Sequence, residues 1–267
     1  MPPTLLLLEL ALLGLCTGFL AGLLGIGGGM VMVPVLTMVL SARGYPDMQV
    51  VQMAVATSLA TICFTSLSSV RAHHQRGAVL WPVARVLAPG ILAGAFLGAQ
   101  FAASLAGRTL GLCFALFAAF SATQMLRNRR PQAARTLPGS VGMLGVGGAI
   151  GVLSALLGAG GAFLSVPFMV WCNVRIHQAV GTASALGFPI ALAGTLGYLW
   201  AGRSLPALPG TWGYLYLPGL LVISAMSVLA APWGARTAHG MDVGPLKRIF
   251  AVLLYGIAAY FALRTLR

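Results

Sequence analysis

Residues Gly18–Leu36 read GFLAGLLGIGGGMVMVPVL, and the pattern returns 133 residues later at Gly151–Met169 as GVLSALLGAGGAFLSVPFM. Nine of the nineteen aligned positions are identical, among them Gly25/Gly158, Gly27/Gly160, Gly28/Gly161 and Pro34/Pro167. Each copy is an apolar run broken by glycines and closed by a proline. A glycine costs a helix interior about 0.8–1.0 kcal/mol relative to alanine, so Gly25–Gly29, GIGGG, is a poor place to continue one. Close helix packing accounts for spaced glycines such as Gly94 and Gly98, or Gly107 and Gly111. It accounts poorly for a run. Unwound backbone survives inside a bilayer only where protein covers it or water reaches it. Broken hydrophobic segments in both halves of a chain are what a secondary transporter uses to build its site.

Composition points the same way. The 267 residues are 59% hydrophobic and 7% charged, with mean hydropathy +0.94, whereas a soluble domain carries about 25% charged residues. Lipid must be the solvent for most of this surface. The fold class expected is therefore an all-α integral membrane protein, a polytopic helical bundle with two internal repeats and broken helices.

The net charge of +13 would suggest nucleic acid in a soluble protein. Here the basic residues sit in short connections between apolar runs, where they anchor topology, and no nucleic-acid partner is expected. Cys16, Cys63, Cys113 and Cys172 lie mostly in apolar runs without short spacing, which gives neither a disulfide framework nor a zinc site. The N-terminal MPPTLLLLELALLGL lacks a basic start and contains Glu9, so it reads as a first membrane helix, not a cleaved signal.

Apolar segments fall at about 4–41, 50–70, 78–103, 109–126, 141–172, 178–201, 213–235 and 246–263. That is four per half, or eight crossings. The first and fifth are too long for one straight helix and hold the glycine breaks. If the breaks are re-entrant, the count rises to nine or ten. An even number of crossings per half gives parallel repeats and an odd number inverted ones. The division expected is a first repeat at 1–127, a basic linker at 128–139 and a second repeat at 140–267. Eight crossings put nine basic residues on the side of the termini and six on the other, so a multi-pass protein of the inner (plasma) membrane with both termini in the cytoplasm is expected.

Pro34 and Pro167 suit the first turn of a half-helix. Such a helix aims its unpaired amides, and about half a positive charge, at the glycine-rich gap. This makes an anion site that needs no intramembrane lysine or arginine. A second motif, Ala54–Ser58 (AVATS), is echoed at Ala179–Ser184 (AVGTAS), with Thr57 opposite Thr182. Thr57, Thr61, Thr65 and Ser68 line one helical stripe, with Ser58 and Ser69 beside it. Back-bonding to the i−4 carbonyl is the bland use of such hydroxyls. A stripe beside a half-helix end also forms a polar wall.

The paired glycine segments ending in proline, followed by the two AVxT motifs, resemble the sulfite exporter TauE/SafE family. So do His74, Gly77 and Trp81 after the second segment, and Gly213-Tyr214 with Leu217-Pro218 in the second half. The resemblance covers nearly the whole chain. It implies a duplicated transporter of small anions, sulfite or a sulfur-containing organic acid or sulfonate, working as an exporter. It implies a substrate region made of Gly27, Gly28, Gly29, Thr57, Ser58, Gly160, Gly161, Thr182 and Ser184. The halves are not equivalent: Ala162 stands opposite Gly29, and Ala183 opposite Ser58.

Among ionisable residues, Glu9 reads as a headgroup-facing side chain or a coupling carboxylate. Arg85 reads as a snorkelling side chain or an anion partner. His73, His74 and His177 lie at segment ends, solvated or pH-sensing. No catalytic carboxylate pair, HExxH or Cys/His cluster is present, so an enzyme is not expected and neither is a cofactor or metal. A passive anion channel is the nearer alternative. The partners expected are a small anion and the lipid bilayer, with a coupling proton or sodium ion and a homo-oligomer left open.

Overall fold

A computed structural model of the protein describes residues 3–24, 28–127, 136–206, 208–237 and 244–266. Gly27, with Gly25 and Ile26, lies outside the described residues, as does the linker stretch 128–135. The first half holds α1 (Pro3–Leu24), α2 (Gly29–Ala42), α3 (Asp47–His74), α4 (Trp81–Ser104) and α5 (Gly107–Arg127). The second holds α6 (Ser140–Leu157), α7 (Ala162–Trp171), α8 (Ile176–Ala201), β1 (Thr211–Trp212), β2 (Leu215–Tyr216), α9 (Leu217–Thr237) and α10 (Gly244–Leu266). The helices α1, α3, α4, α5, α6, α8 and α9 are long and apolar enough to cross a bilayer. The fold is an all-α membrane bundle with helices broken at both glycine motifs.

The long segments 4–41 and 141–172 each resolve into a full helix and a short one. At 14 and 10 residues, α2 and α7 reach only about 21 and 15 Å at 1.5 Å per residue, half a membrane. They do not continue the helices before them. Gly28 lies against the Thr17 carbonyl and Gly161 against Ser154, so the chain turns back alongside the helix it has just left. Gly28 and Gly161 cap α2 and α7 with φ of 71° and 75°, left-handed backbone that glycine adopts without strain.

Contacts along the helices fix their directions. α1 and α9 run together, Gly14 meeting Ile223 and Gly22 meeting Ala231 and Ala235. α9 also follows α3, through Thr65–Ser227 and Arg76–Ala235. α8 runs against α3, with Gly181 at Ala78 and Gly194 at Leu59. Each half thus contains five alternating segments, α1–α5 and α6–α10, and the second half begins on the opposite face from the first. The eight-crossing count gives way to the re-entrant alternative, with ten helices among the described residues. The repeats are inverted, because a half-helix that turns back adds a reversal to each half.

Spaced glycines do the packing. Gly18 meets the Ser227 backbone in α1–α9, and Gly94 meets Gly148 in the equivalent pair α4–α6. Both pairs join one half to the other. The seventh apolar segment begins later than its hydropathy suggests. Residues 211–216 form a hairpin pairing Thr211 with Tyr216 and Trp212 with Leu215, turned by Gly213 at φ 57°. At the same face Tyr45 donates a 2.6 Å hydrogen bond to the Pro209 carbonyl. Burial pushes its phenol up, against a smaller opposing pull from Arg43, so the hydroxyl keeps its proton at neutral pH.

Candidate functional site

The two breaks meet in the middle of the bundle. Gly29, the first residue of α2, lies so close to Gly158 that a Cβ there would overlap the Gly158 carbonyl oxygen. The same carbonyl accepts a 2.8 Å hydrogen bond from Ser58 Oγ. Gly158 is the C-cap of α6, at φ 62°. Gly28, Gly29 and Ser58 therefore gather at one joint, against Gly158.

Thr57 and Thr182 hold matching positions elsewhere. The Tyr216 amide donates to Thr57 Oγ1 at 2.9 Å, and the Leu80 amide donates to Thr182 Oγ1 at 2.9 Å. Leu80 precedes α4 and Tyr216 precedes α9, so each threonine anchors the start of a helix in the other half. Both side chains are fully buried.

Gly160 and Ser184 come together at a narrow cavity with Ala21, Ile62, Thr65, Ser66, Ser69 and Gly187. Its volume is ≈ 10 Å³, room for about one water molecule. Ser69 Oγ approaches Ser184 Oγ at 3.4 Å, and Ser184 donates to the Val180 carbonyl at 3.1 Å. Thr65 shares a 2.6 Å hydrogen bond with Ser227. Among the described residues, no carboxylate, lysine or arginine lines the cavity. Gly161 caps α7 beside Gly160, and the first amides of that helix have no intrahelical partner. Ser154 Oγ and Ser165 Oγ, at the same break, are buried without a hydrogen-bond partner.

The repeat alignment shows how the matching region of the other half differs. In the alignment that pairs Thr57 with Thr182, Ser69 corresponds to Gly194 and Ser184 to Leu59. The polar contact Ser69–Ser184 is matched in the other half by Gly194 against Leu59. Thr65 corresponds to Ile190, whose side chain fills the space beside Gly161. One side is hydroxyl-lined and the other is packed with aliphatic carbon.

Of the residues expected at the site, Gly160 and Ser184 line this cavity and Gly161 adjoins it. Gly28, Gly29 and Ser58 form the joint, and Thr57 and Thr182 the anchors. Gly27 is outside the described residues. Sequence reading did not single out Ser66, Gly187, Ser154 or Ser165. The repeat alignment carried a signal for the last two, which stand opposite Ala21 and Met32: the second half adds hydroxyls where the first is apolar. His74 and Trp81, seven residues apart, are joined by a 3.2 Å hydrogen bond from the indole Nε1 to the imidazole Nδ1.

Residues 10–261 match the family model described as Sulfite exporter TauE/SafE. The chain belongs to the sulfite exporter TauE/SafE family. It is similar to a "Probable membrane transporter protein" of Haemophilus influenzae, 34% identical over 249 residues, covering 92% of this chain and 94% of the relative. It is also similar to the "Probable membrane transporter protein YdhB" of Bacillus subtilis, 28% identical over 74% of this chain and 79% of the relative. A third relative is the "Probable membrane transporter protein MJ0441" of Methanocaldococcus jannaschii, 27% identical over 85% of this chain and 82% of the relative. No solved structure matches. This TauE/SafE member is a multi-pass membrane transporter.

Proposed function

We propose that the protein is a secondary carrier of small anions, sulfite or a related sulfur-containing acid such as a sulfonate, and that it works as an exporter. The observation that carries this reading is the hydroxyl-lined cavity at the second break. A helix N-terminus and neutral hydroxyls favour an anion, and the absence of lining carboxylates disfavours a hard cation. Thr65, Ser66, Ser69 and Ser184 supply hydroxyls to the cavity wall, with Gly160 beside them, and Gly161, Ser154 and Ser165 belong to the adjoining break. Gly27, Gly28, Gly29, Thr57, Ser58 and Thr182 act in this reading as the joint and anchors around which the site opens.

The size of the cavity favours a carrier over a passive channel. Sulfite has four heavy atoms and does not fit a space for one water. The bundle must open to admit it and close behind it, which is alternating access. The repeats at 1–127 and 140–267, joined by 128–139, are then units of duplication and not the bodies that move, since α1 packs on α9 and α4 on α6. One chain supplies the whole cavity, so a homo-oligomer would be an assembly of separate carriers.

Orientation follows from the helix directions. Arg71, Arg76, Arg85, Arg175, Arg236 and Arg248 share the face opposite the termini. Arg43, Arg108, Arg203 and Arg264 share the face of the termini. Cytoplasmic termini rested on eight crossings. Ten segments re-sort the charges, and the positive-inside rule then favours both termini on the outer side of the inner membrane.

Counterflow in proteoliposomes tests the reading, with sulfite, thiosulfate, sulfonates, sulfate and chloride as the panel. Saturable exchange of labelled sulfite against internal sulfite or sulfonate is expected. Non-saturating conductance without exchange would favour the channel, and exchange of none of the panel would remove the anion assignment.

A further inference from the structure

We propose that the cavity among the start of α3, the start of α5 and the end of α10 binds the phosphate headgroup of a singly anionic phospholipid. This site is separate from that of the transported anion.

Each of the three helices supplies a charged residue at the rim and an apolar or small one a turn deeper. Asp47 precedes Val51 on α3, Arg108 precedes Gly111 on α5, and Arg264 follows Phe261 on α10; all six line the cavity. Three or four residues span about 5–6 Å of helix. The wall thus changes from ionic to apolar over the depth that separates headgroups from acyl chains. The volume is ≈ 320 Å³, at the lower end of small-ligand sites, about 300–1,000 Å³. That space suits a headgroup and not a whole lipid.

Charge decides the sign of the ligand. Arg264 donates to Asp47 Oδ1 at 2.7 Å and to Ser41 Oγ at 2.6 Å, so the aspartate is neutralised within the wall. Arg108 is exposed and, among the described residues, makes no hydrogen bond or ion pair. The lining therefore keeps one uncompensated positive charge, on a guanidinium whose donor fork matches two phosphate oxygens. The amides of Gly107 and Arg108 precede the bond from Leu110 to the Ala106 carbonyl that opens α5, and they add donors at the same end. This rim is fastened to α3. Gln52 Nε2 donates to the Leu105 carbonyl at 2.8 Å, and a Cβ on Gly107 would lie 2.9 Å from the Met48 carbonyl oxygen.

The surroundings favour a lipid over a soluble oxyanion. Val51 and Phe261 are buried at the floor, Phe261 against Phe114 with ring centroids 5.0 Å apart. The inner cavity begins at Ile62, about 16 Å further along α3. Beside the rim, Leu112 and Leu116 on α5 and Leu263 on α10 are exposed, on the surface that acyl chains cover. A lipid that sets its phosphate on Arg108 and runs its chains down these leucines uses both surfaces. A zwitterionic lipid would leave the one positive charge unbalanced.

Native mass spectrometry of the purified full-length protein tests this, with phosphatidylglycerol and phosphatidylcholine added at equal concentration. The wild type is expected to retain one phosphatidylglycerol about tenfold more tightly than phosphatidylcholine, the weight of a charge-assisted contact. Arg108→Gln should lose that preference and Arg108→Lys should keep part of it. Arg203→Gln, on the same face but stacked on Trp200 at 4.2 Å and outside the cavity, should behave as wild type. Arg108 has no partner to strand, so its variants should melt at the wild-type midpoint without lipid. Equal retention of both lipids by the wild type would overturn the proposal, as would a wild-type preference in Arg108→Gln. Displacement of phosphatidylglycerol by inorganic phosphate or sulfite at matched concentration would overturn the lipid assignment and give the cavity to a soluble oxyanion.

Discussion

The Ser58 hydroxyl donates a 2.8 Å hydrogen bond to the Gly158 carbonyl, tying the first half's α3 to the C-cap of α6 in the second. The carbonyl belongs to the last turn of a broken helix, where no intrahelical donor remains. The bond has no counterpart, because Ala183 stands opposite Ser58. Ser58→Ala should leave this buried acceptor with one partner fewer and cost about 1–3 kcal/mol. Thermal melting of the purified protein checks it; an unchanged midpoint would mean the joint does not depend on this bond.

Thr57→Val and Thr182→Val are expected from sequence to weaken substrate binding and spare folding. The structure changes that expectation. Each hydroxyl accepts a backbone amide, from Tyr216 and from Leu80, and valine would strand that amide. Each variant should lose about 1–3 kcal/mol of stability, with the double variant losing roughly the sum, since the two sites share no partner. Melting temperatures read alongside sulfite affinity separate the roles. Lost affinity at full stability would restore the ligand assignment.

Glycine substitutions divide by where they sit. Gly28→Ala puts a methyl 2.6 Å from the Thr17 carbonyl oxygen at φ 71°, so it should destabilise the fold whether or not the anion binds nearby. Gly187→Ala is the cleaner probe. Its methyl would meet Ser66 Cβ at 3.4 Å and the Gly160 carbonyl at 3.7 Å, ordinary contacts at the cavity wall. Alanine favours the helix by about 1 kcal/mol, so the melting midpoint without sulfite should hold or rise. Stabilisation by added sulfite should disappear if the cavity is the site. Sulfite-induced stabilisation equal to wild type would put the anion elsewhere.

Exposed Arg43 and Gln75 lie at opposite ends of the α2–α3 hairpin. In a background without native cysteines, Arg43→Cys should react with an impermeant maleimide added to intact cells with a permeabilised outer barrier. Gln75→Cys should react only after lysis. The reverse pattern would return the termini to the cytoplasm. Labelling of both from one side would contradict the helix directions themselves.

Much of the architecture was legible in the sequence. Hydropathy located the membrane segments because burial in lipid demands long apolar runs. The 133-residue repeat located both breaks because consecutive glycines cannot sustain a helix. The packing role of Gly94 could also be read, since a missing Cβ is what lets two backbones touch. The scarcity of charge inside the apolar runs pointed to a site of neutral hydroxyls and backbone amides, with Arg85 the charged alternative. What the sequence could not decide was direction and partnership. Whether α2 continues α1 or turns back depends on φ at Gly28 and on its contact with Thr17, and that one reversal inverts the repeat and re-sorts every basic loop. Nor could local pattern tell which hydroxyls face a cavity. Thr57 and Thr65 share one stripe on α3, yet Thr57 is bonded to Tyr216 159 residues away while Thr65 lines the cavity with Ser69 and Ser184. Hydrogen-bond partners across such distances are chosen by how helices from the two halves cross, and only the tertiary structure sets that crossing.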